Sequence, residues 1–216
     1  EPVKKAKELG VDVIITDHHM VNGELPPADV ILNSKQEDDN YPDDMLCGAG
    51  VAFKLVLALI EKGDFNSLPT GRQVEKGWEK WLLDMVGLAT VADMVPLKNE
   101  NRVLAHYGLI VLRKSRRPGL QKLFRKAWIK QHQLVEEDIS FMIAPRINAA
   151  SRVSDPRIAF DLLSTTNEIE AGQLADELDK LNNKRKTLVA TAVRKANKKI
   201  KERGIKDVVV IGYPEW

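Results

Sequence analysis

Apolar and polar positions at the start of the chain predict a helix, a glycine turn and a strand. Residues 2–9 have a helix-like pattern, and Gly10 can end that helix in the left-handed conformation. The mostly β-branched run at 11–16 favours an extended backbone and is typical of a buried parallel strand. An Asp-His-His triplet follows at the carboxyl end of this strand, which is where ligands bind in open α/β sheets.

The pattern continues with one strand and three helices in the first half of the chain. A short strand is predicted at 29–33, and helices are predicted at 48–62, 78–90 and 99–112. Gly63 is expected to stop the first of these helices. The intervening residues 64–77 are rich in turn-forming residues and predict a surface insertion.

Two glycines, Gly48 and Gly50, open the helix at 48–62 and allow two interpretations. A glycine pair at a helix N-terminus can cradle a phosphate group. Tight packing of the helix on the sheet is the favoured interpretation, because the Lys-Ser/Thr pair of a P-loop does not follow.

The second half of the chain is helical and basic. Residues 113–130 interleave cations with Leu120, Leu123, Phe124 and Trp128. That pattern fits a surface that stacks single-stranded nucleic acid, and it fits an amphipathic helix under a charged face equally well. Another helix is expected to start at 155–156.

One long helix is predicted at 167–203, with Asn167 and Glu170 as a capping box and Gly204 as its end. At 1.5 Å per residue it would span roughly 50 Å, which favours an interdomain strut. Residues 180–206 contain eleven Lys/Arg and one acid, Glu202. This one-sided charge indicates an anionic partner, and a solvated helix face is the alternative.

Composition narrows the classes of protein. The content is 44% hydrophobic and 30% charged, which is typical of a globular protein, and no run approaches the roughly 20 apolar residues of a membrane span. The single Cys47 excludes an internal disulfide framework and favours a reducing compartment, so the cytoplasm is predicted. Residues 1–108 have a net charge of −7, which suits the binding of metal cations. Residues 109–216 have a net charge of +9, which suits the binding of a polyanion.

The triplet Asp17-His18-His19 supplies a carboxylate and two imidazoles, which are ligands for Mn, Zn or Fe. Adjacent His residues reach one site only if the strand has ended and the chain has turned. We therefore expect one His to be a metal ligand and the other a second contact, while a surface His pair is the alternative. Asp93 is the one carboxylate in the apolar run 91–97, where we expect it to be buried, and a buried charge needs a partner, either a backbone cap or a metal. The Asp-His-His triplet makes the metal the favoured partner.

Both ends of the chain predict a fragment of a longer protein. The sequence opens without Met inside a helix, and residues 207–212 read as the first strand of another domain. A lone strand is unstable without partners.

Six motifs occur in order: GVDVIITDHH, GAGVAFKL, GLATVADMVPL, NRVLAHYGL, IAPRINAASR and LADELDKLNNKRK. Together they resemble the DHH phosphoesterase superfamily, and within it the bacterial exonucleases specific for single-stranded DNA. The resemblance covers nearly all 216 residues. It implies an α/β fold, with a partial parallel-sheet DHH domain, a helical segment and a long interdomain helix that leads into a second α/β domain.

Domain boundaries follow from this resemblance. Residues 1–112 would be the C-terminal part of the DHH catalytic domain, and 113–166 a helical extension with the APRINAASR segment. Residues 167–204 would be the connecting helix, and 205–216 the first strand of a truncated DHHA1-like domain.

The resemblance implies a hydrolase with two Mn²⁺ or Mg²⁺ ions that degrades single-stranded DNA from its 5′ end in repair and recombination. His18 and Asp93 match metal ligands, Asp17 would be a ligand or orient one, and His19 would face the scissile phosphate, so that Asp17 and His19 are the catalytic candidates. Three residues of the APRINAASR segment would line the DNA path: Arg146, Asn148 and Arg152. A single-strand-binding protein and a helicase would be protein partners.

The sequence departs from the family pattern in two places. The family's earlier Asp-x-Asp motif and a bridging Asp are absent, so we expect about half of the metal site and weak or no activity from this chain alone. Ser151 stands where the family has Gly. Two alternative functions are a DHH phosphodiesterase for oligonucleotides or cyclic dinucleotides, and an inactive DHH scaffold.

Overall fold

In the computed structural model, which describes residues 1–63, 75–204 and 208–212, helix α1 (Pro2–Glu8) leads into Gly10 with a left-handed φ of 71°. Strand β1 (Ile14–Thr16) pairs in parallel with β2 (Val30–Leu32). The predicted helix, turn and parallel strands are thus confirmed. The predicted burial of the first strand is wrong, since Ile14 is 61% exposed and two paired three-residue strands bury little surface.

Three helices complete the predicted series of the first half. Helices α2 (Gly48–Lys62) and α4 (Asn99–Leu112) have the predicted bounds. The helix predicted at 78–90 begins as a 3₁₀ segment (Trp78–Leu82) and continues as α3 (Leu83–Ala92). The predicted insertion lies mostly outside the described residues. One buried cluster holds these helices together: Leu46, Val51, Phe53, Val86 and Leu104.

Helices α3 and α4 cross at a pair of glycines. A Cβ atom on Gly87 would lie 2.5 Å from the Cα of Gly108, and one on Gly108 would lie 2.4 Å from the Cα of Gly87. Only glycine permits this backbone approach, which fixes α3 against α4.

A polar network links α2 to α4. Lys54 and the hydroxyl of Tyr41 both donate hydrogen bonds to the carboxylate of Glu100. Burial alone would raise the pKa of Glu100, but the two hydrogen bonds outweigh it and the pKa is lowered. The carboxylate therefore stays ionised and joins the two helices.

The remaining helices are α5 (Pro118–Lys126), α6 (Ala144–Val153), α7 (Arg157–Ser164) and α8 (Glu168–Arg203). Helices α5, α6 and α7 each pack against α8. Leu120, Leu123 and Phe124 are fully buried in α5, as an amphipathic helix requires, whereas Trp128 lies just beyond it and is exposed.

Helix α8 starts at the predicted cap. The side chain of Asn167 accepts hydrogen bonds from the backbone N–H groups of Ile169 and Glu170. The capping box is not reciprocal, because Glu170 bonds to the hydroxyl of Thr165 instead. The buried positions of α8 end at Asn182, and Gly204 follows the helix with a φ of 80°.

The chain divides into two units: Glu1–Ser115 with Lys130–Ser140, and Arg116–Ile129 with Phe141–Trp216. The strand predicted at 207–212 is not formed at residues 208–212, where no neighbouring strand pairs with it among the described residues. None of the described helices combines the length and apolarity that a bilayer span requires.

Candidate metal centre

The backbone turns at Asp17, directly after β1. The Asp17 N–H donates to the carbonyl of Leu32, which extends the strand pairing by one residue. The Asp17 carboxylate then accepts the backbone N–H groups of His18 (2.8 Å) and His19 (3.3 Å), as in an Asx turn. Because of this turn the two imidazole centroids lie 4.2 Å apart, so the strand has ended and turned as two converging His residues require.

Asp93 reaches this loop from a distant segment. It follows α3 directly, and its Oδ2 lies 3.0 Å from Nε2 of His18. The sequence argument for a buried carboxylate is wrong, because the Asp93 side chain is 45% exposed where α3 ends. Asp93 does have a partner, which is the imidazole of His18 and was not one of the two that the sequence suggested. A metal ion at this pair stays a prediction.

The triplet itself forms a compact set of donor atoms. One ligand atom from each of Asp17, His18 and His19 lies within 4.8 Å of the others. Burial would raise the pKa of the Asp17 carboxyl, but hydrogen bonds from the His19 ring (2.7 Å) and from two backbone N–H groups lower it. An ionised carboxylate beside two imidazoles offers the mixed O and N donors that divalent transition metals take.

Two residues after β2 hold the triplet's backbone in place. The amide of Asn33 donates to the carbonyl of His19 at 2.9 Å, and Lys35 Nζ donates to the carbonyl of His18 at 2.7 Å. Asn33 is buried and also accepts the N–H of Lys35. The sequence analysis missed both residues, although their position at the carboxyl end of the neighbouring strand is the signal that marks them.

Gly48 makes room for the imidazole of His18. A Cβ atom at this position would lie 3.0 Å from Nδ1 of His18, closer than ordinary packing allows. The first glycine of the pair therefore permits close packing, in line with the favoured interpretation, and the group it packs against is a residue of the site.

The three predicted DNA contacts all lie on α6, in the second unit. Asn148 and Arg152 are exposed and four residues apart, so they share one face of the helix. Arg146 is buried and is held inside the unit, because it donates to Asp179 (2.9 Å) and to the carbonyl of Met142 (2.7 Å). Ser151 lies within the regular helix, so the backbone here does not need the glycine of the family pattern.

Residues 1–90 match the family described as DHH family, N-terminal domain. This part of the chain belongs to the DHH family. The triplet that gives the family its name is the one gathered here at the end of β1.

Within this family the chain is similar to single-stranded-DNA-specific exonucleases called RecJ. It is 38% identical over 214 residues to the protein of Bacillus subtilis (strain 168), which covers 99% of this chain and 25% of that protein. It is 41% identical over 191 residues to the protein of Salmonella typhimurium (strain LT2), and the match covers 86% of this chain and 32% of that protein. The chain thus spans about a quarter to a third of these relatives' length.

Solved structures share the fold. A crystal structure of exonuclease RecJ bound to manganese is 34% identical, with a TM-score of 0.72 over 89% of this chain and 46% of that one. The structure of RecJ from Thermus thermophilus in complex with Mn²⁺ is also 34% identical and has a TM-score of 0.73. The match covers 89% of this chain and 27% of that one. The α/β DHH fold is therefore confirmed.

Proposed function

We propose that this protein is a metal-dependent phosphodiesterase that degrades single-stranded DNA from its 5′ end. The observation that carries the proposal is the 3.0 Å approach of Asp93 to His18, beside the compact Asp17-His18-His19 set. Two segments more than 70 residues apart in sequence are thereby brought together at one cluster of metal-ligating groups. The names of the relatives supply the substrate, and the digestion polarity comes from the family resemblance.

The metal we propose is Mn²⁺ or Mg²⁺, with which the related structures were solved. His18 and Asp93 would be ligands, Asp17 would be a ligand or orient one, and His19 would face the scissile phosphate. A bound divalent ion lowers the pKa of water and neutralises phosphate charge. These few groups cannot fill two coordination shells of about six ligands each, so we propose that they form part of the site.

The protein's own residues have further tasks in this proposal. Asn33 and Lys35 fix the backbone of the triplet, which orients both imidazoles. Arg152 and Asn148 would contact the DNA backbone, where a guanidinium suits a phosphate. Arg146 would position them, since its ion pair with Asp179 ties α6 to α8.

We also propose a cellular setting on the strength of the relatives. The activity would serve DNA repair and recombination in the cytoplasm, where the free, buried Cys47 stays reduced. A single-strand-binding protein and a helicase would be its protein partners.

The function is tested by comparing two variants of the intact protein, each with one histidine replaced by alanine. We expect His18→Ala to lower Mn²⁺-dependent nucleotide release from 5′-labelled single-stranded DNA by at least about 100-fold, because it removes a ligand. His132→Ala, at an exposed histidine of the same unit, should leave the rate unchanged. An oligonucleotide blocked at its 5′ end should not be digested, whereas one blocked at its 3′ end should be digested normally.

Two other results would identify the alternatives. Activity confined to dinucleotides or cyclic dinucleotides would establish a small-substrate phosphodiesterase. A protein that binds Mn²⁺ weakly and cleaves none of these substrates would be a scaffold, and the proposal would be wrong.

A further inference from the structure

Trp128 is an exposed indole two residues beyond the end of helix α5. Its side chain is 94% exposed, and its φ is 59°, in the left-handed region. The exposed ring contributes little to folding, because water contacts almost all of it, and the positive φ strains a bulky side chain.

The hydrogen bonds around Trp128 form a Schellman motif. The N–H of Trp128 donates to the carbonyl of Arg125 at 3.1 Å, and the N–H of Ile129 donates to that of Phe124 at 2.9 Å. The residue at the position of Trp128 in this motif is usually glycine, which adopts the left-handed conformation without strain.

The fold does not need the indole at this position. Phe124 and Ala127, at the end of the helix, are buried at 1% and 2% exposure, so they anchor the turn. A glycine at 128 would keep the same backbone bonds. A residue that costs the fold and packs against little is best explained by a ligand.

The charge around the indole indicates what that ligand is. Residues 113–130 contain eight Lys/Arg and no acidic residue. Arg125 and Lys126 lie in the last turn of α5, and Arg125 is exposed, while Lys126 pairs with Asp176. An exposed aromatic ring beside cations is the usual platform for a stacked base next to its phosphate.

We propose that Trp128 stacks on a base of single-stranded nucleic acid and that Arg125 binds the adjacent backbone phosphate. This inference rests on the proposed function and extends it to a contact in the second unit of the chain. Stacking tolerates every base, so the contact holds a strand without selecting its sequence. It also explains why the site keeps tryptophan where glycine would fold better.

The decisive variant is Trp128→Gly in the intact protein. We expect it to bind a labelled oligothymidylate of about 15 nucleotides about 5- to 100-fold more weakly in buffer with EDTA, where a metal-dependent nuclease does not cleave. Its thermal midpoint should stay the same or rise by a few degrees, because strain is relieved. Trp128→Phe, which keeps a ring, should retain more affinity. Trp81→Ala, which removes another exposed indole, should bind like the parent protein.

Three results would overturn the proposal. If Trp128→Gly binds as tightly as the parent protein, the indole does not hold nucleic acid and serves another partner. If it loses affinity and thermal stability together, the ring supports the fold. If the parent protein neither binds nor cleaves single strands, both the proposed function and this inference are wrong. That result differs from failure of the inference alone, in which the parent protein binds single strands and Trp128→Gly binds them equally well.

Discussion

At the scale of single residues, the orientation of the His18 imidazole depends on the absence of a Cβ atom at Gly48. We predict that Gly48→Ala moves the imidazole, since the new methyl group would lie 3.0 Å from Nδ1 and 3.3 Å from Cε1. We expect the displaced imidazole to lower metal affinity by about 10- to 100-fold, which is the effect of disturbing the groups that orient a ligand. Isothermal titration of the intact protein with Mn²⁺ measures this change.

Gly50→Ala is the matched control, because it adds the same methyl group two positions further along α2. Its nearest neighbour would be Leu46 at 3.5 Å, which is an ordinary contact. The Mn²⁺ affinity of this variant should be that of the parent protein. Equal affinities for both variants would show that the space beside His18 does not control the site.

The same scale shows what the sequence could predict about the site. Asp17, His18 and Asp93 could be proposed from the sequence because their chemistry stands out against apolar neighbours, and the structure brings them together. Asn33 and Lys35 were not predicted although they follow β2, because they act by hydrogen bonds to backbone carbonyls. Their position in the sequence does not show which backbone groups their side chains reach. The burial expected for Asp93 failed because apolar neighbours in sequence need not surround a residue that ends a helix.

At the scale of elements, the crossing of α3 and α4 determines where Asp93 lies, because Asp93 follows α3 directly. We predict that Gly87→Ala destabilises the protein by about 3 kcal/mol, since the added methyl group would lie 2.5 Å from the backbone of Gly108. The urea midpoint of unfolding should fall, and Mn²⁺ affinity should fall with it as Asp93 is displaced.

Gly172→Ala, in α8, separates this effect from helix propensity. Apart from the neighbouring turns of α8 itself, no atom of the described residues lies within 4 Å of the added methyl group, so alanine should stabilise the helix by up to about 1 kcal/mol. If both substitutions stabilise, the close crossing of α3 and α4 is not a constraint in solution.

Element boundaries were predictable where local signals were strong. The glycines at 48 and 63 delimit α2, and the Asn167 cap begins α8, as the sequence indicates. The first strand was predicted too long and too buried. A run of β-branched residues shows that a segment can form a strand, but neighbouring strands decide how many of its residues pair and how deeply they are buried. Residues 208–212 do not form a strand here, because no strand lies beside them among the described residues, and their assignment to a further domain stays a prediction.

At the scale of the whole molecule, charge is divided between an acidic first half and a basic second half of the chain. Residues 1–108 contain 11 Lys/Arg and 18 Asp/Glu, and residues 109–216 contain 22 and 13. The imbalance is greatest in the exposed second half of α8, beyond the last buried position at Asn182. A polyanion would therefore be attracted to α8, while the acidic part accumulates cations.

This division predicts the salt dependence of single-stranded DNA binding. If Lys184 and Lys186 each neutralise a phosphate, changing both to Gln should make the slope of log affinity against log salt shallower by about 1.4, because each single-strand contact contributes about 0.7. Changing Lys4 and Lys62 to Gln removes the same charge from exposed positions in the acidic part and should leave the slope unchanged. Fluorescence anisotropy over a range of KCl concentrations measures both slopes. Equal slopes for the two double variants would show that α8 attracts DNA only through net charge, whereas the predicted difference locates the strand along the helix itself.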